Sequence, residues 1–135
     1  MKRIGMFVLV VLMLTGGVAL AGSVEIPKSV TMSAKQFKSY TPKKADVVFN
    51  HESHSSVACT DCHHTTPQTM TIQGCMSDGC HDNVATRSEK SSVYLAFHTT
   101  KDTTKSCVGC HREMKKQGTG EAPLACNSCH VPASK

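Results

Sequence analysis

Apolar positions are spread unevenly along this chain of 135 residues. The one long apolar run opens it: MKRIGMFVLVVLMLTGGVALA, with Lys2 and Arg3 first, an unbroken block over 6–14, and small residues at Ala19 and Ala21. That order predicts a secretory signal peptide over residues 1–21, cut after Ala21. The block is interrupted by Thr15-Gly16-Gly17 and is short beside the ~20 residues of a membrane span, so no stable membrane insertion is expected. Residues 22–135 then form one exported domain. Downstream the patterns are brief. Val24-Glu25-Ile26 and Val30-Thr31-Met32 alternate and predict a small N-terminal β-hairpin, with Val47-Val48-Phe49 as a further strand. In SSVYLAFHTT (91–100), Val93 and Phe97 are four apart, as are Tyr94 and His98, which predicts a helix. Residues 107–117 predict a second helix, stopped by Gly118 and Gly120. The stretches 65–74 and 118–125 read as loops. The expected class is mainly α, with much irregular loop.

Composition changes this picture. Of the 114 residues after Ala21, 38 are apolar, and eight of these are cysteines, leaving 30. There is no Trp, and the aromatics are Phe37, Tyr40, Phe49, Tyr94 and Phe97. A small chain this poor in apolar side chains needs cross-links or a metal group to offset its entropy. Charge adds less. Removing Lys2 and Arg3 from 15 basic residues leaves 13 against 10 acidic ones. With no arginine-rich tract among aromatics, nucleic-acid binding has no support. Residues 87–116 do hold a basic excess that includes Lys101, Lys105, Lys115 and Lys116.

The cysteines form four pairs, each followed by a histidine: Cys59-Thr-Asp-Cys62-His63, Cys75-Met-Ser-Asp-Gly-Cys80-His81, Cys107-Val-Gly-Cys110-His111 and Cys126-Asn-Ser-Cys129-His130. Three are C-x-x-C-H, the attachment signature of c-type haem, for which chance predicts only ~0.03 matches in such a chain. Each thiol adds to one vinyl group, and residues three apart lie on one side of a helical turn. The next residue then presents its imidazole to the iron. In the wider second motif, Gly79 supplies the backbone freedom that two extra residues need. A disulfide framework suits eight cysteines in an exported chain but leaves the histidines unexplained. Zinc sites pair C-x₂₋₄-C with a distant H-x₃₋₅-H, not with an adjoining histidine.

Eight histidines occur, and the four outside these motifs are His51, His54, His64 and His98, one per motif. Two imidazoles per iron would use them all, so none of Met32, Met70, Met76 and Met114 is needed as a ligand. Adjacent residues point in different directions, so His63 and His64 must serve different irons. His51 and His54 are expected to diverge likewise. The stretch FNHESHSSVACTDCHH (49–64) is then a hub touching several haems.

These residues, with GCHDN (79–83), the spacing to His98 and KSCVGCH (105–111), resemble the tetrahaem class III cytochromes c, the cytochrome c3 family of sulfate-reducing bacteria. The similarity runs from about residue 45 to 131. It implies a multihaem cytochrome fold wrapped around four covalently bound haems c. It also implies axial couples: His51 with His63 on haem 1, His64 with His81 on haem 2, His54 with His111 on haem 3, and His98 with His130 on haem 4. Many members have the wide spacing at haem 4 also, whereas here Cys126 and Cys129 have the short one. The function implied is that of a periplasmic, low-potential electron carrier of anaerobic sulfate respiration, not an enzyme. Electrons would come from hydrogenase or formate dehydrogenase and pass to membrane-bound cytochrome complexes. Lys101, Lys105, Lys115 and Lys116 would form the docking rim. The alternative is a terminal reductase of metal ions or sulfur at an exposed haem edge.

Overall fold

The computed structural model describes residues 25–101 and 105–132, so the signal peptide expected over 1–21 lies outside the described residues. β1 (Ser29–Met32) runs antiparallel to β2 (Val47–Asn50), with Val30 opposite Phe49 and Met32 opposite Val47. The two-residue period puts these four apolar side chains on one half-buried face and Ser29, Thr31, Val48 and Asn50 on the exposed one. This corrects the hairpin read from the sequence. Glu25 and Ile26 lie in no strand, and 30–32 pairs with 47–49 instead. Pro27, directly after Ile26, has no N–H to donate to a ladder, which disfavours pairing there. The longer connection over 33–46 is closed by Asp46, which accepts from Ser33 Oγ at 2.8 Å and Lys35 Nζ at 3.0 Å.

The helices are short: α1 (Cys59–Cys62), α2 (Thr66–Thr69), α3 (Val93–His98), α4 (Cys107–Gln117) and α5 (Cys126–Cys129). A 3₁₀ turn covers Glu52–His54. The single turn of α2 lies within 65–74, expected to be loop; Pro67 in its first turn is compatible with helix. The helices predicted near 91–100 and over 107–117 are present as α3 and α4. α4 ends where Gly118 takes φ 67°, with Gly118 N–H donating to Lys115 O and Thr119 N–H to Met114 O. That left-handed step suits glycine and satisfies carbonyls of the last turn.

α3 and α4 are begun by the same device. Ser92 Oγ accepts from Leu95 N–H at 3.3 Å and donates to Thr86 O at 2.6 Å. Ser106 Oγ accepts from Gly109 N–H at 3.0 Å and donates to Thr99 O at 2.6 Å. Each serine thus caps a helix while tying it to the preceding loop. Among the described residues these are the only buried ones of polar type, at 0% and 5% exposure, and no large apolar side chain is fully buried. The chain is therefore a frame with half-covered apolar faces, and its interior is not built from interlocked side chains.

Candidate functional site

β2 leads directly into the histidine-rich hub. His51 N–H continues the ladder to Lys28 O at 2.8 Å, and the His51 ring Nδ1 lies 2.8 Å from Pro27 O. Asn50 Oδ1 then accepts from Glu52 N–H at 2.8 Å and starts the turn that carries His54. His54 Nδ1 returns to Asn50 O, also at 2.8 Å.

The same contact recurs along the chain. His63 Nδ1 lies 3.0 Å from Gln73 O, His81 Nδ1 2.8 Å from Lys90 O, and His98 Nδ1 2.9 Å from Tyr94 O. His111 Nδ1 is 2.9 Å from Pro123 O and His130 Nδ1 2.6 Å from Ala45 O. A carbonyl can only accept, so in each case Nδ1 carries the proton and Nε2 is left as a bare lone pair. Seven of the eight histidines are held this way; His64 makes no such bond. A surface histidine has no need of a fixed tautomer, whereas a metal-binding imidazole does.

The rings also meet in couples. His54 and His111 stack with centroids 6.1 Å apart and planes 15° apart. His98 and His130 do so at 6.1 Å and 5°. His64 and His81 face at 6.0 Å with a tilt of 55°. Two imidazoles bound on opposite sides of one first-row metal, at about 2.0–2.1 Å from each Nε2, place their centroids a little over ~6 Å apart. These separations are too wide for ring contact and suit an intervening iron. His51 and His63 do not show this stacking. Among the described residues no group of three or more His, Cys, Asp or Glu converges as a cage for a bare ion. A donor set of two facing imidazoles suits haem, whose porphyrin supplies the other ligands.

No disulfide joins any of the eight cysteines. In the short motifs, a helical turn brings His63 N–H to Cys59 O at 2.8 Å and His130 N–H to Cys126 O at 2.9 Å. The wide motif reaches the same closure by another path. Ser77 N–H bonds Gly74 O, Cys80 N–H bonds Ser77 O, and Gly79 takes φ 78°. His81 N–H then meets Cys75 O at 3.1 Å. The two extra residues are absorbed in turns, and the histidine ends in the same relation to the first cysteine. Burial pushes the thiols of Cys62, Cys75 and Cys107 up, Cys107 to about 11. The Cys107 thiol also feels Cys75, Cys62 and Cys129, and Cys62 feels Cys75 and Cys110. Cysteines of all four motifs therefore lie within electrostatic reach of at least one other motif.

Some neighbours had no distinct signal in the sequence. Phe49 packs on His54 at 4.5 Å and meets His51 edge-on at 4.9 Å. Tyr94 stacks on His98 at 4.5 Å, and the Arg87 guanidinium lies 4.4 Å from the Tyr94 ring centroid. The four-residue spacing anticipated that Tyr94 and His98 share a face; nothing marked Arg87. The carbonyl partners could not be anticipated, since any residue type supplies one.

The model of the class III cytochrome c family matches residues 27–130. The chain is 69% identical over 107 residues to the 26 kDa cytochrome c3 of Desulfomicrobium norvegicum, covering 79% of this chain and 96% of that one. It is 44% identical over 87 residues to a cytochrome c3 of Desulfovibrio desulfuricans, covering 64% and 79% respectively. The solved di-tetrahaem cytochrome c3 of Desulfovibrio gigas superposes with a TM-score of 0.68 at 30% identity, over 79% of this chain and 98% of that chain.

Proposed function

The chain belongs to the class III cytochrome c family and is a multihaem electron-transfer carrier; from that premise we propose that it holds four haems c, each with two histidine ligands, and works in the periplasm of a sulfate-respiring cell. The observation that carries this reading is the set of facing imidazoles at 6.0–6.1 Å, most of them with Nδ1 committed to a carbonyl. Cys59 with Cys62, Cys75 with Cys80, Cys107 with Cys110 and Cys126 with Cys129 would be the thioether anchors. The axial couples are those implied by the family resemblance, including His51 with His63.

When bound, each haem supplies a one-electron Fe(III)/Fe(II) couple, which bis-histidine ligation keeps below that of His/Met cytochromes. The chain's own groups set the conditions. The carbonyl bonds fix the orientation of seven of the eight rings, all but His64, and raise the basicity of Nε2, which favours the higher iron charge. The mutual closeness of the cysteine motifs packs the four attachment points into a small volume. Among the described residues no helix is long and apolar enough to cross a membrane.

Lys101, Lys115 and Lys116, with Lys105 beside them in sequence, would steer an acidic partner. Hydrogenase is the partner proposed, with formate dehydrogenase or membrane-bound cytochrome complexes as others. The test is purified holoprotein: a haem assay, a redox titration, and reduction by hydrogen with and without hydrogenase. Four low-spin haems reduced only when hydrogenase is present are expected. A colourless product, or high-spin five-coordinate iron, overturns the reading.

A further inference from the structure

A cavity of about 380 Å³ opens between the hub and the start of α3, and its lining identifies what it is shaped to take. His64 and His81 face each other in its wall, and Cys75 and Cys80 of the wide motif stand beside them. These four are the ligand and anchor residues proposed above for one haem. Two further lining residues, Lys90 and Lys105, have no part in that assignment, and no Asp or Glu is among the lining residues.

A haem brings two propionate carboxylates, which lose hydration on entering such a cavity and need a cation or hydrogen-bond donors in exchange. Lys90 and Lys105 are the cationic residues among those lining the cavity, and no Asp or Glu stands with them to compete. Both lysines are anchored by their backbones. Lys90 O receives the His81 Nδ1 proton at 2.8 Å, and Lys105 directly precedes Ser106, the buried cap of α4. Their side chains therefore start from points fixed relative to the haem ligand and to the next cysteine motif. We infer that Lys90 and Lys105 are the propionate-binding pair of the haem held between His64 and His81, and that they raise its midpoint potential. This rests on the four-haem reading. It also moves Lys105 from the partner-docking rim to the mouth of a cofactor site.

The sign follows from charge. Ferric haem carries one more positive charge than ferrous haem, so a nearby ammonium disfavours the oxidised form. Both lysines are exposed at the rim, so solvent weakens the effect. Replacing either by Gln should raise the Fe(III)/Fe(II) ratio of this haem about threefold at fixed applied potential, a downward shift of about 30 mV at 59 mV per tenfold.

The experiment is an NMR-resolved redox titration of holoprotein for wild type, Lys90→Gln, Lys105→Gln and the charge-keeping Lys90→Arg and Lys105→Arg. The 55° ring tilt, against 15° and 5° elsewhere, should give this haem a distinct ferric low-spin EPR signal by which to identify it. The expected result is four haems in every variant, with the shift centred on this haem in the Gln forms and absent in the Arg forms. An unchanged potential, or a larger shift at another haem, overturns the inference while leaving four-haem binding intact. A wild-type count below four would overturn the underlying reading instead.

Discussion

Replacing Ser106 by Ala removes two bonds from a position only 5% exposed. Its Oγ accepts from Gly109 N–H at 3.0 Å and donates to Thr99 O at 2.6 Å. Loss of a serine cap costs typically about 1 kcal/mol. Leaving the half-buried Thr99 carbonyl without its donor costs a further ~1 kcal/mol. The sum of about 2 kcal/mol is a large share of the ~5–15 kcal/mol that holds a domain of this size together. It should lower the melting temperature by about 8 °C. Guanidinium unfolding of the holoprotein, followed in the haem Soret band, would measure it as a shift in midpoint at constant slope. Ser128→Ala is the control, because Ser128 is exposed in α5 and its hydroxyl makes no hydrogen bond among the described residues; it should change stability by under about 0.5 kcal/mol. If Ser106→Ala behaves like the control, the frame is not held by these caps, and covalent attachment to haem must dominate its stability. Because α4 carries Cys107, Cys110 and His111, the variant should also disturb the haem held there before the others.

Three other outcomes follow from the same geometry. Gly79→Ala meets no atom within 4 Å, so its penalty is the left-handed φ of 78° alone, about 1–2 kcal/mol; mass spectrometry should still find the haem attached through Cys75 and Cys80. The Asp46 carboxyl is held below its ordinary value chiefly by the Lys35 hydrogen bond and then by Ser33. It therefore binds fewer protons folded than unfolded, so its stabilisation is present above the unfolded value of about 3.9 and is lost as pH falls through the lower folded value; unfolding curves of Asp46→Asn should converge with wild type in strong acid and lie below it at neutral pH. Exchanging the His54 imidazole for a thioether in His54→Met should raise the potential of one haem, the His111 one, since His/Met ligation favours ferrous iron; a redox titration in which no single couple moves upward refutes that pairing.

Much of the chemistry was legible in local spacing. The four cysteine pairs with adjoining histidines are covalent neighbours, so their relation needs no fold to establish it. The divergence of His63 and His64 follows from backbone geometry, and the two rings do part: His63 turns to Gln73 O while His64 faces His81. The extent of α4 was equally local, read from its pattern and from Gly118. The strand partner of 30–32 was not. Alternation says which residues share a face but not which strand lies opposite, and Pro27 together with the Ser33, Lys35 and Asp46 clamp selected β2.

Tertiary structure alone decided the rest, because the groups involved are generic or distant. His130 takes its carbonyl from Ala45, 85 residues away, and every residue has a carbonyl to offer. Lys90 and Lys105 look like any surface lysines until the cavity places both beside His64 and His81. The amino-acid order determines which side chains can bind iron and sulfur-anchored porphyrin, since that depends on bonded spacing. Which imidazoles meet, and which charges stand near them, depends on contacts between residues far apart in the chain, and only folding brings those together.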